Sequence, residues 1–184
     1  DILATEKGKI VDFAKNNKID FVVIGPEDPL CEGLADALES ERIKVFGVKQ
    51  EAAQLEESKA YAKEFMNQHN MPTAKYKKCT TKEEAVEYAK ELRANNPSKT
   101  VVLKADGLCQ GKGVVIAEND TMIESYCSDI FDKKIFGETS LVVEEYLDGF
   151  EISQLCFVDN HTIVAMPTLK DHKKIYEGEK GDNT

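Results

Sequence analysis

The sequence predicts an α/β protein that begins with the end of a parallel, Rossmann-like unit. Two observations predict this class. Apolar stripes with helical spacing alternate with short apolar runs that end at Gly or Pro, as in successive helices and buried strands. From Ser58 the pattern changes, and a glycine-rich loop over 107–113 lies between two further apolar runs. The content of 41% hydrophobic and 32% charged residues is ordinary for a globular chain of 184 residues.

The first region supplies two helix-strand steps. Its predicted elements are, in order, a helix over 5–17 with an apolar stripe at Ile10, Val11, Phe13 and Ala14, a buried strand over 20–25, one helix through Leu30, Leu34 and Leu38, and a strand over 44–47. Ligands of such units gather at the carboxyl ends of the strands, and the stretch GPEDPL (25–30) follows a strand in this way. A domain boundary is expected between 48 and 58.

The second region starts with an amphipathic helix over 58–70. Its predicted elements are that helix through Tyr61, Phe65 and Met66, a helix that begins at a capping box from Thr81 to Glu84 and buries Ala85, Val86, Ala89 and Leu92, strands over 100–105 and 113–117, a helix through Ile123, Tyr126, Cys127 and Ile130, and strands in SLVVEEYL, EISQLCFV and TIVAMP. Helices and strands thus continue to mix along the chain.

Charge and composition exclude several classes of function. The 34 acidic and 24 basic residues give a net charge of -10, which repels a nucleic-acid backbone or an anionic membrane. No run reaches the roughly 18 apolar residues of a membrane span, and the first residues do not resemble a signal peptide. The five cysteines have no metal-site spacing, so they are expected to be reduced thiols in the cytoplasm.

The loop in KADGLCQGKGVVIA (104–117) has the chemistry of an anion cradle. It is not a Walker A loop, because Gly107 and Gly111 are too close together and a strand, not a helix, follows. It is not a G-x-G-x-x-G motif either, since Ile116 occupies the third glycine position. What remains is a strand-loop-strand hairpin whose glycines let the backbone approach an anion, with Lys104 before the loop and Lys112 in it. A plain hairpin with solvated lysines is the competing interpretation.

Three longer stretches carry a family resemblance. The segments 54–74, 101–117 and 141–174, together with GPEDPL and KVFG, resemble the ATP-grasp enzymes, most closely the phosphoribosylamine-glycine ligases. Departures from the family pattern occur in the glycine loop at Cys109-Gln110, at Phe150, in KDHKK and at Asp182. The resemblance implies the C-terminal part of the family's N-terminal domain over 1–57 and an incomplete ATP-grasp fold over 58–184, with 73–147 as its small lid subdomain.

The resemblance also implies roles for individual residues. It assigns nucleotide binding to Lys59, Lys104, Gly107, Gly111, Lys112, Gly113, Glu144, Glu145, Leu147 and Glu151, substrate binding to Gly25, Pro26 and Glu27, and catalysis to Asp171 and Lys173. Lysines would contact the phosphates, and carboxylates would accept from the adenine amino group and the ribose hydroxyls. Solvated lysines and an ordinary strand with alternating exposed glutamates are the competing interpretations.

The implied activity is that of an ATP-dependent carbon-nitrogen ligase of purine synthesis. Glycine would be activated as glycyl phosphate and captured by the amine of phosphoribosylamine, with ATP and Mg²⁺ as cofactors. The magnesium ligands are expected beyond Thr184, so residues 1–184 alone are expected to be inactive. Another ATP-grasp ligase, such as a carboxylase, and a non-catalytic nucleotide-binding module are the alternatives.

Overall fold

The computed structural model describes residues 1–109, 112–170, 172, 174–177 and 180–183. The chain divides into two compact units, Asp1–Tyr146 and Leu147–Thr184. Among these residues, no helix combines the length and the apolar character that a membrane crossing requires.

The first region contains a two-stranded parallel sheet and four helices. Its elements are α1 (Lys7–Asn16), β1 (Phe21–Val23), α2 (Glu27–Cys31), α3 (Leu34–Ser40), β2 (Lys44–Phe46) and α4 (Gln50–Glu57). Strands β1 and β2 pair in parallel, with Val22 opposite Val45. Both valines pack against a small core formed by α1, α3 and neighbouring residues, with Leu38 fully buried at its centre.

Two features of this region differ from the sequence prediction. Strand β1 is not buried on both faces, because Val22 packs on the core while Phe21 and Val23 point away from it and are exposed. The single helix through the leucines is two helices, since Gly33 adopts a left-handed φ of 79° between them. The interval 48–58, in which a domain boundary is expected, contains α4, and the first amide of α4, that of Gln50, donates to Asp36 at 2.8 Å. The boundary itself stays a prediction.

The second region of this unit is a four-stranded antiparallel sheet with three helices. Its elements are α5 (Lys59–Gln68), β3 (Tyr76–Cys79), α6 (Lys82–Asn95), β4 (Val101–Ala105), β5 (Val114–Ala117), α7 (Asp120–Phe131) and β6 (Leu141–Glu145). The spatial order is β3-β6-β4-β5, so β6 and β4 are the central strands. Strand β3 is an element that the sequence analysis did not predict.

Local sequence signals account for the helices of this region. Thr81 caps α6 by accepting from the amide of Glu84 at 3.3 Å, which confirms the predicted start, and Asn119 caps α7 in the same way at 3.0 Å. The four residues predicted to form the buried face of α7 are all buried, namely Ile123, Tyr126, Cys127 and Ile130. Helix α5 is different, because its buried residues are Ala60 and Lys63 rather than the predicted Tyr61, Phe65 and Met66.

Alternation along β4 and β6 separates two faces of the sheet. Leu103 and Val143 belong to the main core beneath α6 and α7 and are fully buried. Lys104 and Glu144 follow them in sequence and therefore point to the opposite face. In the antiparallel register Lys104 lies opposite Val142 and Glu144 opposite Val102, so the two charged side chains are diagonal neighbours.

The unit Leu147–Thr184 consists of short antiparallel pairs. Its strands are β7 (Ile152–Ser153), β8 (Cys156–Val158), β9 (Ile163–Ala165), β10 (Leu169–Lys170), β11 (Lys174–Tyr176) and β12 (Lys180–Asn183). The pairs are β7 with β10, β8 with β9, and β11 with β12. The predicted strand EISQLCFV is thus two strands, β7 and β8, that pair with different partners.

Candidate functional site

A cavity of about 640 Å³ lies within the unit Asp1–Tyr146. Its lining comes from α2, α4, α5, β4, the glycine loop and the start of β5, and consists of Glu27, Asp28, Leu55, Glu56, Lys59, Ala62, Lys63, Met66, Lys104, Leu108 and Val114. Three lysines and three carboxylates therefore share one cavity of the size that binds small molecules. The predicted residues Glu27, Lys59 and Lys104 meet here, although they are far apart in the sequence.

A partly buried carboxylate, that of Asp106, joins the glycine loop to the start of α5. It accepts from the amide of Ala60 at 3.2 Å and from the amide of Gly107 at 3.1 Å. It also accepts from the hydroxyls of Ser58 and Ser140, at 3.1 Å and 3.2 Å. Because Ala60 carries one of the first amides of α5, which lack partners within the helix, Asp106 caps this helix from the neighbouring loop.

The cap fixes the position of Lys59, the first residue of α5. Its ammonium group donates to the carbonyl oxygen of Gly107 at 2.6 Å. Gly107 has a φ of 89°, a conformation that side-chain-bearing residues rarely adopt, so a glycine is required at this turn. The loop and the helix are thereby joined at the edge of the cavity.

A buried carboxylate, that of Glu144, is shared by two lysines. Its Oε2 contacts the ammonium group of Lys63 and its Oε1 contacts that of Lys104. The Glu144 side chain is 3% exposed, that of Lys63 10% and that of Lys104 32%. Lys63 also donates to the hydroxyl of Thr73 at 2.8 Å and lies 5.6 Å from the ring centroid of Tyr76. The predicted contact of Glu144 with an adenine stays a prediction.

The remaining loop residues lie between β4 and β5. Lys112 is exposed, and its amide donates to the carbonyl of Cys109 at 2.9 Å. Gly113 is buried, and its carbonyl accepts from the amide of Ala105 at 2.7 Å. A Cβ at Gly113 would lie 2.8 Å from the Cβ of Cys109, which is too close for two carbon atoms. Gly111, a predicted phosphate contact, lies outside the described residues.

The other predicted site residues lie in three places. Gly25 and Pro26 are exposed between β1 and α2, directly before the cavity residue Glu27. The Glu145 carboxylate accepts from the amide of Lys75 at 2.9 Å, at the edge between β3 and β6. The residues assigned to the second unit are Leu147 and Glu151, both exposed. Asp171 and Lys173 lie outside the described residues, so their predicted catalytic role stays a prediction.

Lys63 and Asp106 are site residues that the sequence analysis missed. Lys63 follows Lys59 by four positions, which places both on one face of α5, and this spacing was a usable signal. The sequence around Asp106 gave no comparable signal of its role, because this role depends on Ser58, which lies 48 residues earlier in the chain.

The cysteines are free thiols in this structure, as predicted. Burial raises the pKa of the Cys79 thiol to about 11 and that of Cys127 to about 12, because the core disfavours the charged thiolate. Both side chains are fully buried in the core beneath α6 and α7. These two thiols therefore act as small apolar groups.

Among the residues that the structure describes, no group of three or more His, Cys, Asp or Glu side chains is arranged to hold a metal ion.

Comparisons with known proteins agree with this architecture. Residues 1–56 match the N domain of phosphoribosylglycinamide synthetase, and residues 57–184 match its ATP-grasp (A) domain. The chain is 45% identical over 177 residues to the human trifunctional purine biosynthetic protein adenosine-3, covering 95% of this chain and 17% of that protein. It is 39% identical over 186 residues to a phosphoribosylamine-glycine ligase of Yersinia pestis, covering 100% of this chain and 42% of the ligase.

A solved structure gives the same result. The crystal structure of phosphoribosylamine-glycine ligase from Thermotoga maritima superposes with a TM-score of 0.73 and 34% identity, covering 92% of this chain and 41% of that one. The chain thus spans about two fifths of the length of the single-function ligases that it matches.

The antiparallel sheet, the glycine loop and the lysine-lined cavity define an ATP-grasp protein, which confirms the fold class expected from the sequence. Family models match the whole chain, with an N domain followed by an ATP-grasp domain. The chain belongs to the phosphoribosylglycinamide synthetase family.

Proposed function

We propose that this chain is part of an ATP-dependent carbon-nitrogen ligase that joins glycine to 5-phosphoribosylamine in purine biosynthesis. The observation that carries the proposal is the convergence of Lys59, Lys63 and Lys104 with Glu27 on one cavity of about 640 Å³. Lysines on α5 and β4 suit the phosphates of ATP, because an ammonium on a long stem serves as a point charge for a phosphate oxygen. Family membership supports the same reaction class.

The proposed reaction has two steps that balance without a redox partner. A carboxylate oxygen of glycine attacks the γ-phosphorus of ATP, the bond to the β-phosphate oxygen breaks, and ADP leaves. The amine of phosphoribosylamine then attacks the carbonyl carbon of glycyl phosphate, the bond from this carbon to the phosphate oxygen breaks, and inorganic phosphate leaves with the electron pair. The nitrogen loses one proton to water as the amide forms. The task of the lysines is to hold the phosphates in position and offset their charge.

The proposal assigns different groups of residues to ATP and to phosphoribosylamine. Lys59, Lys104 and the loop 107–113 would hold the phosphates of ATP, with Lys112 closing over them. Gly25, Pro26 and Glu27 would contact the phosphoribosylamine, because they follow the carboxyl end of β1 and lead into the cavity. Glu145, Leu147 and Glu151 would bind the adenosine part, and Asp171 with Lys173 would act at the acyl phosphate.

The proposed domain plan follows from these assignments. Residues 1–57 would complete a substrate-binding N-terminal domain, and 58–184 would form the first part of the ATP-grasp domain, with 73–147 as a lid subdomain. We also propose Mg²⁺ as a cofactor, with its protein ligands outside residues 1–184. The proposed location is the cytoplasm, and the proposed partners are small molecules rather than nucleic acid or membranes.

A coupled assay of ADP release tests the proposal. The full-length protein should turn over ATP only when both glycine and phosphoribosylamine are present. ATP turnover that depends on bicarbonate would support the rival carboxylase. Nucleotide binding without turnover in the presence of all three substrates would support a non-catalytic nucleotide-binding module.

A further inference from the structure

We infer that Lys63 is a positioning residue that keeps Glu144 neutralised when Lys104 leaves it to bind the polyphosphate. The inference rests on the proposed function, because it concerns how that cavity binds ATP. Lys63 is not one of the residues expected to contact ATP. Its location, burial and partners carry the argument.

The charges of the three residues do not cancel. Two ammonium groups share one carboxylate, so the cluster of Lys63, Lys104 and Glu144 has a net charge of about +1. If Lys104 were the sole partner of Glu144, the pair would be neutral and would attract an anion weakly. The additional lysine gives this cluster its net positive charge on the α5 and β4 side of the cavity.

The two lysines differ in their freedom to move. The ammonium group of Lys63 is held by Glu144, by the Thr73 hydroxyl at 2.8 Å and by the ring of Tyr76 at 5.6 Å, and its side chain is 10% exposed. Both side chains line the cavity, but that of Lys104 is 32% exposed. Lys63 is therefore the fixed counter-ion and Lys104 the movable one.

This difference lowers the cost of moving Lys104. A buried carboxylate that loses its only cationic partner is strongly destabilised, because it is neither hydrated nor paired. Glu144 takes one lysine on each oxygen, so Lys63 still contacts Oε2 after Lys104 has left Oε1. Lys104 can then exchange a carboxylate oxygen for a phosphate oxygen at small cost.

The alternative is that the cluster only ties α5 to the sheet. Both roles predict that loss of Lys63 destabilises the protein. They differ in whether the effect on ATP binding depends on the charge of Glu144. If Lys63 acts as a counter-ion, it should matter for ATP only while Glu144 is negative, since a neutral Gln holds Lys104 no more than weakly.

A double-mutant cycle on the full-length protein tests this difference. The dissociation constant of ATP is measured calorimetrically for wild type, Lys63→Met, Glu144→Gln and the double variant. We expect K63M to weaken ATP binding by about tenfold or more, and by less than about threefold in the E144Q background. Lys63→Arg keeps the charge and should stay within about threefold of wild type. Equal losses from K63M in both backgrounds would overturn the inference.

A measurement on the wild type avoids any variant that fails to fold. The ¹⁵N signals of the lysine ammonium groups are followed while ATP is added. The Lys104 signal should shift and the Lys63 signal should stay that of an ion pair with Glu144. If the wild type binds no ATP, the proposed function fails; if it binds ATP and the Lys104 signal does not move, this inference alone fails.

Discussion

Replacement of Asp106 by Ala should destabilise the protein and separate the glycine loop from α5. The substitution removes the acceptor of four donors, namely the amides of Ala60 and Gly107 and the hydroxyls of Ser58 and Ser140. These bonds are 3.1 to 3.2 Å long and only partly buried, so each contributes about 0.5 to 1 kcal/mol. We therefore expect a loss of about 2 to 4 kcal/mol in the free energy of unfolding.

Urea unfolding followed by circular dichroism measures this loss. Asp20→Ala is the matched control, because Asp20 is exposed and no hydrogen bond or ion pair of its side chain is seen among the described residues. The control should change the free energy of unfolding by less than about 0.5 kcal/mol. Asp106→Asn keeps the size but loses the charge, and should give an intermediate loss. If D106A unfolds at the same urea concentration as D20A, the capping argument is refuted.

Three further predictions concern the loop and the core. Lys104→Ala should weaken ATP binding, measured by calorimetry, more than Lys112→Ala, because a strand lysine is already positioned while a loop lysine must be ordered; equal losses would contradict this. Gly113→Ala should cost about 1 to 3 kcal/mol in urea unfolding, because its Cβ would meet that of Cys109; unchanged stability would contradict the close approach. Folding raises the pKa of the Cys127 thiol from 9.0 to about 12, so the folded state holds this proton more tightly than the unfolded state does. The stabilisation that this thiol gives is complete below pH 9.0 and is lost as the pH rises from there toward 12. Cys127→Ala should therefore flatten the fall in urea midpoint above pH 9, and an unchanged slope would argue against this thiol.

Local signals predicted the parts of the fold that depend on neighbouring residues. The start of α6 follows from Thr81 and Glu84, and the buried face of α7 follows from its spacing. The burial of β1 could not be read in this way. Which of its faces is covered depends on where α1 and α3 pack, and this is a property of the tertiary structure.

Local sequence signals also predicted part of the candidate site, and they missed the residues whose roles depend on tertiary contacts. Lys59 and Lys104 were found because they belong to recognisable sequence patterns, and both line the cavity. The contacts that hold them were not found, since Lys63 and Asp106 have partners on elements far along the chain. Residue type alone does not distinguish a solvated lysine from a buried one.

The order β3-β6-β4-β5 has a consequence for how the protein folds. Strands β4 and β5 are neighbours in sequence and form a hairpin, whereas β6 follows α7 in the chain and lies between β3 and β4. Closing long loops is entropically costly, so pairings distant in sequence form late. We expect Glu144 to remain hydrated until β6 enters the sheet. The removal of water from its carboxylate and the arrival of its two lysines would then belong to one late step of folding.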